Sequence, residues 1–97
     1  MTAQTLATEL SAIFDRPERD LVQQGLLALI AREIRSAELE IAEIRERYNV
    51  FTRDALYDAI QDGQVAAHPA WEDYIVWKNK EAHISRLKQV AGEDRRA

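Results

Sequence analysis

Apolar residues recur along this chain at helical spacing almost from end to end, and each break in the pattern carries recognisable helix-capping residues. Leu6, Leu10, Ile13 and Phe14 share one face of a helix predicted from Thr5 to Phe14. So short an element needs docking to persist. Asp15-Arg16-Pro17-Glu18 reads as a break and a restart. Asp15 is placed to cap the next helix, Glu18 to reach back to it as a capping box, and Pro17 suits a first turn. From there nothing interrupts a helix until Tyr48-Asn49, where Asn49 can adopt the left-handed conformation that ends helices. The element is about 32 residues, hence roughly 48 Å long. Glu18 and Asp20 at its start and Arg45 and Arg47 at its end match the helix dipole.

The apolar pattern changes along this long helix. Leu21, Val22, Leu26, Leu27, Leu29 and Ile30 cover a wide arc, which predicts a segment packed on several sides. Beyond it a narrower stripe of Leu27, Ile30, Ile34, Ala37, Ile41, Ile44 and Tyr48 alternates steps of three and four. That is a heptad seam, with Leu27, Ile34, Ile41 and Tyr48 at a and Ile30, Ala37 and Ile44 at d. Two covers suit it: a second copy of the chain, or the chain's own last helix. In a parallel pair Glu40 would meet Arg45 favourably while Glu33 would oppose Glu38, so the flanking charges do not fix an orientation.

A third, short helix is predicted after Thr52 as cap, with Phe51 stapled onto Leu56 and Gly63 as the left-handed end. A fourth begins at His68-Pro69 and runs through Lys88 to Gly92. Its apolar residues occupy two arcs, Trp71, Tyr74, Ile75 and Ala82 on one and Trp77, Ile84, Leu87 and Ala91 on the other. A domain of this size is expected to cover one arc only, leaving the second for a partner. The predicted fold is all-α: the long helix and the C-terminal helix form a hairpin, with two short accessory helices and a coiled-coil-like seam. Residues 1–92 form one helical domain, followed by a frayed charged tail at 93–97.

Charge sharpens this picture. The net charge is −4, unevenly placed: fourteen acids face seven bases before residue 78, and three face six after it. An acidic body argues against binding nucleic acid by itself and favours a basic protein partner. The chain has no cysteine, which removes disulfides and thiolate metal sites. The first residues lack the features of a signal peptide and no apolar run is long enough to span a bilayer, so a cytoplasmic protein away from membranes is expected.

Candidate chemistry is sparse. His68 stands at a helix start and His83 on a charged face, and Ser11, Ser36 and Ser85 have no nucleophile motif around them. Glu40, Glu43 and Glu46 step along the long helix, but no Glu precedes a His by three, the spacing of di-metal bundles. Gly25, Gly63 and Gly92 are isolated, so no phosphate-cradling loop is formed; Gly25, inside a helix, reads as close helix packing. Neither enzyme activity nor a cofactor is expected. The aromatics say more. Both tryptophans and a tyrosine fall within Trp71-Glu72-Asp73-Tyr74-Ile75-Val76-Trp77, without the interleaved Lys and Arg of a base-stacking surface. Trp and Tyr are enriched at protein-interface hot spots. The expected partner-binding residues are therefore Trp71, Tyr74, Ile75, Trp77, Ile84 and Leu87, and the expected self-association residues Leu27, Ile30, Ile34, Ile41, Ile44 and Tyr48.

The run Arg47-Tyr48-Asn49-Val50, a short helix, Gly63, and then His68-Pro69-Ala70-Trp71-Glu72-Asp73 resembles a group of small charged all-α prokaryotic proteins regarded as antitoxins of two-gene toxin–antitoxin modules. The resemblance spans residues ~20 to 90, with Asn49 where that group has Gly; both tolerate the left-handed cap. It implies an inhibitor that neutralises a small toxin by forming a complex; the acidic body suits a basic toxin, and the heptad seam a homo-dimer or hetero-oligomer. A structural or adaptor homo-oligomer joined by the heptad seam is the alternative.

Overall fold

Thr2 meets the first need of the N-terminal helix, an acceptor for its open backbone donors: its Oγ1 accepts from the Thr5 N–H at 3.1 Å. In the computed structural model four helices follow in order: α1 (Ala3–Phe14), α2 (Glu18–Tyr48), α3 (Arg53–Gln61) and α4 (Ala67–Arg96). The backbone is described for residues 1–96 and side chains for residues 1–92. The chain is 85% helical, with no strand among the described residues. The side chains of the charged tail expected at 93–97 lie outside the described residues.

The turns show how the chain stops each helix. Asn49 takes φ 51°. The Val50 N–H then bonds the Arg45 carbonyl (3.1 Å) and the Asn49 N–H the Glu46 carbonyl (3.3 Å), the paired closure of a Schellman motif. Gly63, at φ 71°, repeats it for α3, with Gln64 bonded to Ala59 and Gly63 to Ile60. Thr52 caps α3 by accepting from the Ala55 N–H at 3.1 Å. At the start of α4 His68 is non-helical (φ −117°, ψ 121°), as the residue before a proline tends to be, and the His68–Pro69 peptide is cis.

One junction differs from expectation. Asp15 does not cap α2. It closes α1 in the left-handed conformation at φ 52°, its N–H bonded to the Ser11 carbonyl, and so is not in the extended conformation an N-cap needs. The Pro17 carbonyl instead starts α2, accepting from Asp20 and Leu21. Glu18 turns to α1, where its carboxylate accepts from Gln4 Nε2 (3.1 Å) and Thr8 Oγ1 (2.9 Å).

The chain divides into two compact units, Met1–Arg32 and Glu33–Ala97, with the boundary inside α2. In the first, no residue is buried. Leu21, Leu27 and Ile30 are half-buried, while Val22, Leu26 and Leu29 are exposed, so the segment expected to pack on several sides packs along only part of its circumference. Gly25 does not mark close packing either: a Cβ built there meets nothing within 4 Å.

The second unit carries the core, formed by Ile41, Ile44, Leu56, Ile60, Ala70 and Trp77. Its helices α2 and α4 run antiparallel. Tyr48 and Arg47 meet Asp73, Arg45 lies over Trp77, and Glu40 pairs with Lys80, so positions ascend on one helix as they descend on the other. The distal seam residues Ile41 and Ile44, with Ala37, are thus buried within the chain's own fold. The long helix and the C-terminal helix form the expected hairpin, and α3 packs on α4.

Candidate interaction surface

Helix α3 is amphipathic in a way that assigns each face a task. Leu56, Ala59 and Ile60 are buried. Arg53 and Tyr57, one turn apart, reach α4. Tyr57 meets Trp71 edge-on (centroids 5.6 Å, 76°) and Tyr74 at 5.8 Å, while Trp71 and Tyr74 meet nearly at right angles (5.5 Å, 88°). Both contacts of Trp71 are favourable edge-to-face geometries, and the two tyrosines meet tilted at 53°. The three rings lock one another in place, and Trp71 and Tyr74 are only half-buried. Ile75, beside them in sequence, stands 48% exposed.

Polar contacts brace this cluster. Arg53 Nη1 donates to the Tyr74 hydroxyl (3.2 Å) and Nε to Glu81 (3.3 Å), with the guanidinium 5.5 Å from the Tyr74 ring centroid. Burial pulls the Arg53 pKa down, but Glu81 and Tyr74 more than offset it, leaving it above the ordinary arginine value. On the α2 side Asp73 accepts from Arg47 Nη1 at 2.9 Å and from the Tyr48 hydroxyl. The Asp73 hydrogen bond, then its charge, raises the Arg47 pKa. Burial first, and the bond to Asp73 second, raises that of Tyr48.

An open groove of about 730 Å³ lies in the same unit, between distal α2, the start of α3 and α4. At its edge the Arg45 guanidinium lies 5.4 Å from the Trp77 ring and 5.7 Å from that of Phe51, and Nε donates to the Phe51 carbonyl at 3.0 Å. Phe51 is 82% exposed, so the expected staple onto Leu56 is replaced by this contact with Arg45.

The expected partner-binding residues separate in the structure. Trp71, Tyr74 and Ile75 form the surface just described. Trp77 is 1% exposed and belongs to the core, so it offers a partner nothing. Its indole N–H is buried without an acceptor, which costs about 1–3 kcal/mol. Ile84 is half-buried against the core and Leu87 is also half-buried. The two-arc argument is corrected because two neighbours share the covering: α3 takes the arc of Trp71 and Tyr74, and distal α2 the arc of Trp77. Among the self-association residues, Ile41 and Ile44 are core, Tyr48 is tied to Asp73, and Leu27, Ile30 and Ile34 are half-buried. Sequence reasoning missed Tyr57 and Arg53, although their one-turn spacing was a readable signal.

His68 Nδ1 sits 2.7 Å from Glu72 with both side chains exposed, an i,i+4 pair on the surface. Among the described residues no three His, Cys, Asp or Glu side chains group as metal ligands. No helix there is long and apolar enough to cross a membrane.

The geometry is that of a small all-α helical protein with an aromatic surface and a mixed-charge rim. By sequence, the chain matches over residues 1–93 the family described as the uncharacterized protein MJ0235 family, and it belongs to that family. Neither the curated proteins nor the solved structures compared with it gave a match.

Proposed function

We propose that the protein works by binding, as an antitoxin-like partner that neutralises a small basic protein in the cytoplasm by direct complex formation, without catalysis of its own. The observation that carries this reading is the Tyr57–Trp71–Tyr74 cluster: large rings, fixed by one another and by Arg53, left partly open beside the exposed Ile75. Fixed aromatic anchors bind with little ordering cost, and such residues dominate interface energetics. Asp54 and Asp58, one turn apart on α3, and Asp62 at its C-terminal cap are all exposed and place negative charge near Tyr57. Those three carboxylates suit a basic partner and would speed its encounter.

The test is binding to the product of the adjacent gene, with growth as a second readout. That product expressed alone should arrest growth, and co-expression of this chain should restore it. Trp71→Ala should weaken the complex by at least ~30-fold while the fold is retained, the effect of losing a central hot spot of ~2 kcal/mol. Absence of both binding and growth arrest would refute the reading.

A further inference from the structure

Helix α1 is turned inside out. Its polar face meets the chain, through the bonds from Gln4 and Thr8 to Glu18, and half-buried Ala7 and Ser11 lie on that same side. Its apolar face, Leu6, Leu10, Ile13 and Phe14, points to solvent, with Ile13 72% exposed. The first half of α2, whose Leu21, Leu27 and Ile30 are half-buried, turns a second apolar strip of Val22, Leu26 and Leu29 to solvent, with Leu26 58% exposed. Gly25 lies on that face with open space before it, so another backbone can come close there.

We infer that the N-terminal hairpin of residues 1–32 is a self-association module, which pairs with the same hairpin of a second copy to form a four-helix bundle. This rests on none of the reasoning about the aromatic surface. Charge selects the occupant. Leu21 to Ala31 contains no charged residue, Glu9 is the one charged side chain of α1, and residues 1–32 hold four acids against three bases. A nearly neutral, apolar face has nothing to pair with a highly charged partner, and two copies of it do not repel. Lipid is disfavoured because a helix lying on a membrane surface carries Lys or Arg along its polar side, and α1 has neither.

The area agrees. Seven large side chains about half exposed leave on the order of 100 Å² each, which approaches the ~800 Å² per partner of a standard stable interface. Such a patch also exceeds the ~300–600 Å² of the largest apolar patch on a typical monomer. Each copy offers the same face, so a twofold arrangement closes the assembly.

Sedimentation equilibrium of the full chain at tens of micromolar should give twice 11.1 kDa. Leu26→Glu and Ile13→Glu should each return it to the monomer, with dissociation at least ~100-fold easier and the helical spectrum kept, since both sites are exposed within the single chain. Leu39→Glu, at an equally exposed apolar position of the other unit, should leave the dimer intact. A monomeric parent chain overturns the proposal, as does a dimer that survives both hairpin substitutions or is lost with Leu39→Glu. Flotation of the chain with vesicles of neutral phospholipid would also overturn it, in favour of a lipid surface.

Discussion

Residues 1–32 and 33–96 are both largely helical and both rich in apolar side chains, yet they use them in opposite ways. In the second unit Ile41, Ile44, Leu56 and Trp77 are buried by α2, α3 and α4 among themselves. In the first, Leu10, Ile13, Phe14 and Leu26 remain exposed, while Gln4, Thr8 and Glu18 bond one another. The difference teaches that an amphipathic period fixes which residues share a face but not where that face points. Direction is decided by the partners available to it.

Truncation should expose this contrast most sharply. Trp77→Ala removes a fully buried ring and should cost ~3–5 kcal/mol of unfolding free energy, read from the urea midpoint. Leu26→Ala, in dilute solution where self-association is absent, should change the same quantity by less than ~0.5 kcal/mol. A large loss at Leu26 under those conditions would mean that the first unit has a core of its own.

A smaller effect concerns the Asp73 junction within the second unit. Asp73→Ala removes the acceptor shared by Arg47 and Tyr48 and should cost about 1 kcal/mol, less than a buried charged hydrogen bond because Arg47 is half exposed. The Tyr48 phenol has its pKa raised in the fold, by burial first and by Asp73 second. Its contribution is therefore complete below the ordinary tyrosine value of ~10 and is lost as pH rises through the higher folded value. Urea midpoints measured from pH 8 upward should fall beyond pH ~10, and Tyr48→Phe should make that fall shallower. An identical alkaline decline in Tyr48→Phe would assign it to other groups.

Smallest of all, the exposed Lys80–Glu40 pair at 2.9 Å should contribute less than ~1 kcal/mol. Lys80→Gln should barely move the midpoint, and less still at high salt.

Much of this fold is legible in the residues. The helix ends at Asn49, Gly63 and Pro69 follow from capping chemistry, because a left-handed or proline position leaves few alternatives. The heptad spacing marks Ile41 and Ile44 as inward, although choosing between a second copy and α4 as their cover requires the antiparallel pairing itself. Less legible are features set by competition between neighbours. Asp15 can cap α2 or close α1, and the two uses exclude each other. Trp71 and Trp77 look alike in sequence; the packing of α3 on Trp71 and of distal α2 on Trp77 leaves the first half-buried and the second in the core. The outward face of α1 depends on the bonds that Gln4 and Thr8 make to Glu18, a match that no periodicity encodes.

The central claim is that the second unit holds the fold alone while the first completes its surface with another copy. Amide hydrogen exchange of the full chain at low and high micromolar concentration tests this most directly, because protection reports local stability segment by segment. Protection in residues 37–48, α3 and residues 69–87 should be the same at both concentrations, while protection in residues 3–31 should rise as the chain is concentrated. Protection of residues 3–31 that is independent of concentration would contradict the account.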